Sequence, residues 1–257
     1  MLSIIIPSYK DPLLHKTIDS LLENATGEIE IIAVLDGYWT VDPIRDDPRV
    51  KVLHLGETRG MRGAINAGVS IAKGEFLMRT DEHCVFAKGY DESLTSLCED
   101  NMIVTPRRFF LDAKKWEVMD LPPVDYEKLI IDKTRNKFSG VTWRQRTKER
   151  KDIMFDETMA MQGSCWVMKR SHWDSVIKEL QPEGYGTHYQ DSIEMIMKTW
   201  KNGGRLMVNK NTWFAHKHRS FPRTHNYGGN LADACFAYSL SLWGDYYQNV
   251  IREKWKI

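Results

Sequence analysis

Asp81 and His83 stand two residues apart in Thr80-Asp81-Glu82-His83-Cys84, one residue after the apolar run Phe76-Leu77-Met78. A carboxylate and an imidazole at that spacing make a compact clamp for a divalent cation. On an extended backbone alternate side chains share one side, so both can reach one ion. A second group lies far downstream in Trp213-Phe214-Ala215-His216-Lys217-His218-Arg219, where histidines and an arginine crowd a predicted strand end. Each piece alone has a plainer explanation: Asp81 as a capping residue in a turn, His216 as a satisfied strand-end histidine. His218 has the same side-chain parity as His216 and competes with it as a ligand.

These residues need a scaffold, and the first half of the chain supplies one by alternation. Leu2–Ile6 reads as a buried strand, and Leu14, Ile18, Leu21 and Leu22 follow at helical spacing until Asn24 to Gly27 stops them. Ile29–Leu35 and Val50–Leu55 are two more strands. Met61, Ala64, Ile65, Gly68 and Ala72 form a helix with a small-residue face, and Glu75–Met78 is the fourth strand. That βαββαβ order predicts a mostly parallel α/β sheet with its ligand site at the carboxyl ends of the strands, where Pro7, Asp36 and Asp81 fall. The second half is less regular. Strands are expected at Asn101–Thr105, Gly163–Lys169 and Leu206–Val208, with a helix through Ile193, Ile196, Met197 and Trp200 and another at the C-terminus.

Length and composition fit one domain of 257 residues, 42% apolar and 28% charged, which excludes disordered and fibrous classes. A net charge of +1 excludes a globally basic nucleic-acid binder but leaves room for a local basic patch. One such patch is Lys133–Lys151, with eight basic residues, one acid, and Phe138 and Trp143 interleaved. It can track a polyanion or simply be a solvated loop. No run of 18 apolar residues predicts a membrane span, and no signal-peptide pattern opens the chain. Cys84, Cys98, Cys165 and Cys235 are scattered, as expected for reduced thiols in a cytoplasmic protein.

Taken in order, the motifs resemble nucleotide-sugar glycosyltransferases of the GT-A fold. Ile4-Ile5-Ile6-Pro7-Ser8-Tyr9 resembles the opening strand of the family-2 enzymes, and Val34-Leu35-Asp36-Gly37 resembles their V-D-D-G element with Leu in place of the first Asp. The polypeptide N-acetylgalactosaminyltransferases are closer still. Their D-x-H-C motif is matched by Asp81-Glu82-His83-Cys84, and their E-x5-W-x2-G-G by Glu194 to Trp200 with Gly203-Gly204. Their G-H-x-x-R and Gly-Gly pair are matched by Ala215-His216, Arg219 and Gly228-Gly229, and their W-x-D-x-Y-x-N by Trp243, Asp245, Tyr247 and Asn249. Their W-G-G-E-N element has only a loose counterpart across Tyr185-Gly186-Thr187 and Gln190-Asp191-Ser192. A secreted protein acceptor is therefore not expected to be shared.

The resemblance implies a single GT-A domain, with a nucleotide-binding part over about 1–100 and an acceptor-binding part over about 101–257. It implies a UDP-sugar donor and Mn²⁺ (or Mg²⁺) held by Asp81, His83 and His216. A divalent ion neutralises the leaving diphosphate. Arg219 resembles the diphosphate-contacting arginine, and Asp36 the acid that accepts from uracil N3–H. Pro7, Tyr9 and Glu82 line the same strand ends, Tyr9 as a base-stacking ring or a part-buried core tyrosine. Arg59 or Arg62 contacts the nucleotide, or is a solvated helix-face charge. Asp191 takes the place of the sugar-side or acceptor-side acid and is also a candidate helix N-cap. Inverting family-2 enzymes place a general base next to it. Here that position is Ser192, which favours retention. Residues 219–230, with Pro222 and two glycines, are expected to form a lid. The acceptor is open among hydroxylated bases in the DNA of a genome-modifying virus, a cytoplasmic protein, and a lipid-linked or cell-surface glycan precursor.

Overall fold

The computed structural model describes residues 1–186, 188–218 and 229–257. Strands β1 (Leu2–Ser8), β2 (Ile29–Asp36), β3 (Val50–Leu55) and β4 (Phe76–Thr80) pair in parallel in the order β4-β1-β2-β3. Helices α1 (Leu14–Asn24) and α2 (Gly60–Ile71) are the crossovers. Alternate residues of β1 enter different cores: Ile4 and Ile6 pack with Leu14, Ile18 and Leu21, whereas Ile5 packs with Ala64, Ile65 and Val69. Burial on both faces explains why these strands read as unbroken apolar runs. Gly68 lets α2 lie close to the sheet, because a Cβ there would run into Ile5 and come within 3.1 Å of Val34 Cγ2.

The sheet continues beyond β4 through β11 (Cys165–Lys169), β6 (Met102–Asp112), β12 (Arg205–His216) and β10 (Phe155–Glu157). β11 runs antiparallel to both its neighbours, while β6 and β12 are parallel, so two parallel blocks flank one reversed strand. β12 is much longer than the Leu206–Val208 expected. It passes a bulge between Asn209 and Trp213, where the fully buried Asn209 bonds Ser93 O through Nδ2 (2.8 Å) and accepts the Asn211 N–H (3.0 Å). A polar Asn-Lys-Asn run reads as a break, and here it is a bulge satisfied by its own side chain.

Short strand β5 (Cys84–Phe86) pairs with the end of β12, and β7 (Glu117–Val118) extends β6. Lys133–Lys151 is not a loop: β8 (Glu127–Asp132) and β9 (Lys137–Thr142) form a hairpin followed by α4 (Arg144–Glu149). Buried Leu129 and Phe138 pin that hairpin to the core, with Phe138 edge-on to Tyr247 at 5.4 Å. α6 (Asp191–Lys201) presents Ile193, Ile196, Met197 and Trp200 to the same core, as its spacing predicts. α3 (Tyr90–Thr95), α5 (Arg170–His172) and the C-terminal α7 (Gly229–Tyr246) complete the layers. Among the described residues no helix is long and apolar enough to cross a membrane.

Candidate active site

Strand pairing brings the two histidine groups together. β4 ends at Thr80, the Asp81 N–H donates to Ser164 O (3.0 Å), and the chain bends through Glu82 and His83 into β5. The β5–β12 register sets His216 opposite Cys84, one residue from His83, and the Lys217 N–H donates to His83 O (3.2 Å). The outer edge of β5 is tied to α1, since Cys84 N–H and Phe86 N–H donate to the Thr17 and Ser20 hydroxyls. Asp81 and His83 converge through a turn rather than by strand alternation. Asp81 Oδ2 lies 3.0 Å from His216 Nε2 and 3.8 Å from His83 Nε2, and the two Nε2 atoms are 3.1 Å apart.

One carboxylate oxygen and two imidazole nitrogens facing a common point form a mixed N/O donor set that suits Mn²⁺. The charge states suit it too. Burial would raise the Asp81 carboxyl, but Arg79 (Nη2 to Oδ1, 2.5 Å), the His216 hydrogen bond and His83 outweigh it and hold Asp81 well below the usual carboxylate range. Burial pulls His216 below the ordinary imidazole value against the opposing pull of Asp81, leaving a neutral ring at pH 7. His218, the rival ligand, faces elsewhere: its Nε2 accepts from Arg108 Nη1 at 2.6 Å. Burial and Arg108 bring its pKa down to about 4.

The nucleotide-side candidates spread over the neighbouring strand ends. Asp36 uses both carboxylate oxygens on the start of α2, accepting Arg59 N–H (2.6 Å) and Gly60 N–H (2.9 Å). Arg59 itself is exposed at that rim. Arg62 is not a solvated charge: it is fully buried, paired with Glu194, stacked 4.1 Å from the Tyr185 ring centroid, and donating to Tyr189 O and Gln181 O. It clamps the segment leading to Asp191 onto α2 and turns no face toward a nucleotide. Pro7 is buried in β1 beside Val34. Tyr9 is part-buried and meets Tyr38 edge-on at 5.9 Å, and its N–H points at Glu82 Oε1 (3.4 Å). Tyr38 lies 2.5 Å from Ser8 Oγ, and burial pushes its phenol up to about 12.

Residues 3–176 match the family described as Glycosyl transferase family 2. The chain belongs to that family. The uncharacterized glycosyltransferase EpsJ of Bacillus subtilis (strain 168) is 31% identical over 110 residues, 40% of this chain and 32% of that protein. Polypeptide N-acetylgalactosaminyltransferase 3 of Taeniopygia guttata is 24% identical over 215 residues, 78% of this chain and 33% of that protein. This family-2 chain thus spans about a third of the length of the curated relatives it matches. Among solved structures, GalNAc-T7 with UDP, GalNAc and Mn²⁺ superposes with a TM-score of 0.79 at 19% identity, covering 98% of this chain and 50% of that one. S. aureus TarS 1-349 in complex with UDP-GlcNAc gives 0.60 at 13% identity, covering 86% and 59%. The fold is GT-A.

On the other side of the cluster, Asp191 is the first residue of α6 and makes no side-chain cap, the N-cap position being Gln190. A Cβ placed on Gly163 would lie 3.4 Å from Asp191 Oδ2, so this acid borders the turn whose next residue, Ser164, anchors Asp81. Arg219 and nearly all of the expected lid over 219–230 lie outside the described residues. Several residues had no part in the motif pattern. Asp11 reaches His83 Nδ1 (3.1 Å), and Arg79 reaches Asp81. Arg108 lies 3.8 Å from buried Glu127, which Gln162 contacts at 2.5 Å; burial raises the Glu127 carboxyl. Asp11 had a sequence signal, an acid just past the first strand. Arg108 and Glu127 had none, being ordinary charges in irregular sequence.

Proposed function

We propose that the chain transfers a sugar from a UDP-sugar to a hydroxyl acceptor with the help of a divalent cation. The observation that carries this is the convergence of Asp81 Oδ2, His83 Nε2 and His216 Nε2 at the carboxyl ends of the strands. A cation there supplies charge neutralisation for the departing diphosphate. Around it Tyr9 offers a face to the base, and Arg59 a cation to the phosphates. Asp36, at the end of β2, is the acceptor for uracil N3–H. Residues 1–100 would thus hold the nucleotide and residues 101–257 the acceptor, in a reducing cytoplasm where the free thiols persist.

Ser192, a residue that cannot serve as a base near neutral pH, supports retention. The acceptor oxygen would bond to the anomeric carbon on the face from which the diphosphate oxygen leaves. The acceptor proton would pass to that leaving oxygen, giving UDP. Asp191, which borders Gly163, would hold a sugar hydroxyl. Proton NMR of the product anomer tests this, and an inverted product would make Asp191 the base.

For the acceptor we favour an anionic polymer, with hydroxylated DNA bases first among the candidates. The β8–β9 hairpin adjoins the Asp191 segment, since Gln190 Nε2 donates to Phe138 O (3.2 Å), and it exposes Lys133 and Arg135, with Arg144, Lys148 and Lys151 following in and after α4. Asp81→Ala and His216→Ala should each abolish UDP-sugar hydrolysis and transfer in a protein that keeps its circular dichroism. EDTA should do the same, reversed by Mn²⁺. Full activity in EDTA would overturn the cation-dependent reading.

A further inference from the structure

A buried imidazole that ligates through Nε2 carries its proton on Nδ1, and the partner of that N–H fixes both tautomer and ring orientation. The two histidines of the cluster differ on this point. His216 Nδ1 is buried and has no hydrogen-bond partner among the described residues. His83 Nδ1 lies 3.1 Å from Asp11 Oδ2, with both side chains no more than 6% exposed. Asp11 sits just before α1, and its other oxygen, Oδ1, accepts the Leu13 N–H at 2.8 Å. One carboxylate therefore joins the start of a helix to the ring of a ligand. Glu82 lies in the same group, and its Oε1 accepts the Tyr9 N–H.

We propose that Asp11 is a positioning residue of the cation site. It holds His83 as the Nδ1–H tautomer, with the Nε2 lone pair aimed at Asp81 Oδ2 and His216 Nε2. The 3.1 Å separation between a carboxylate oxygen and a ring nitrogen is that of a hydrogen bond, with Nδ1–H as donor and Oδ2 as acceptor. This rests on Asp81, His83 and His216 being a cation site. A residue that merely started the helix would need Oδ1 alone, so the two roles can be separated.

Asp11→Asn is close to isosteric. Its amide oxygen can stay on the Leu13 N–H, which places the NH₂ against His83 Nδ1. Two donors cannot face each other, so the ring must move its proton to Nε2 and lose the ligating lone pair. Asp11→Ser keeps a good helix-start residue and removes the His83 partner. Mn²⁺ binding followed by electron paramagnetic resonance should weaken about 10–100-fold in both variants with little change in melting temperature. In metal-free protein, long-range ¹H–¹⁵N spectra, with His83 assigned by His83→Asn, should show its proton on Nδ1 in the wild type and on Nε2 in Asp11→Asn. If the wild type binds Mn²⁺, and both variants bind it equally with the His83 tautomer unchanged, the proposal is overturned. If the wild type binds no Mn²⁺, the cation reading falls and the proposal falls with it.

Discussion

Asp36 and Glu194 are both buried carboxylates that brace the site, but they are held in different ways. Asp36, in the first eighty residues, is met by the backbone amides of Arg59 and Gly60. Glu194, in the second region, is met by Arg62 and Lys198, just as Asp156 is met by Tyr126 and Arg150 and Glu127 by Gln162. A carboxylate on helix-start amides is stabilised by groups that would be orphaned anyway, and its loss is a local matter. A buried side-chain pair joins elements far apart in sequence, and losing one member strands a charge in a poorly polarisable interior. An amide-held acid such as Asp36 should therefore tolerate single substitution better than a side-chain-paired acid such as Glu194.

The largest test is Glu194→Ala. Arg62 and Glu194 are each 1% exposed, so the variant leaves a buried guanidinium unpaired. A loss of about 3–5 kcal/mol is expected in urea unfolding. The double variant Arg62→Met/Glu194→Ala should recover a good part of it. A single-variant loss below about 1 kcal/mol would break the comparison.

That difference also sets how much the chain disclosed before its fold was known. Where local patterning decides the outcome, as in β1, α1, β2, α2 and β4, apolar spacing and strand-end acids were enough. Asp81, His83 and His216 were legible through an ordered likeness of motifs, although only the β5–β12 register explains their meeting. Arg62 was misplaced because its partner Glu194 lies 132 residues away and no local signal separates a buried cation from an exposed one. The β8–β9 hairpin was hidden for a related reason. Its charges dominate the composition, while Leu129 and Phe138 do the packing.

A middle-sized effect tests the second region through pH. His172 is 2% exposed, with Nε2 on Thr199 Oγ1 (2.9 Å) and Nδ1 without a partner among the described residues, and burial brings its pKa down to about 4. The unfolded value is about 6.5, so below that pH the unfolded chain binds the proton first. The contribution is complete above pH 6.5 and is lost as pH falls toward 4. About 2 kcal/mol should disappear between pH 7.5 and 5. His172→Asn should remove that part of the slope. An unchanged slope would mean the ring does not stay neutral in the fold.

For the first region, Asp36→Ala should cost about 1–2 kcal/mol, the usual range for losing a helix-start acceptor. Asp36→Asn should recover part of it, since one oxygen can still accept an amide. A loss on the scale of Glu194→Ala would show that amide-held acids are no more dispensable than paired ones.

The smallest effect on folding belongs to the surface cations of the hairpin, and it separates them from their committed neighbours. Arg150 is bidentate on Asp156, and Arg146 donates to Glu157 O (2.8 Å) among the rings of Tyr126, Trp143 and Trp255. These two hold structure. Lys133, Arg135, Arg144 and Lys148 are exposed, and replacing all four by Gln should change stability by no more than about 0.5 kcal/mol per site. If the acceptor is a polyanion, the same variant should bind single-stranded DNA more weakly, with a shallower salt dependence, and hydrolyse UDP-sugar at the wild-type rate. Fluorescence anisotropy at several salt concentrations reads the first quantity, and UDP release the second. Unchanged DNA affinity at low salt would leave these cations as a solvated face and remove the support for an anionic acceptor.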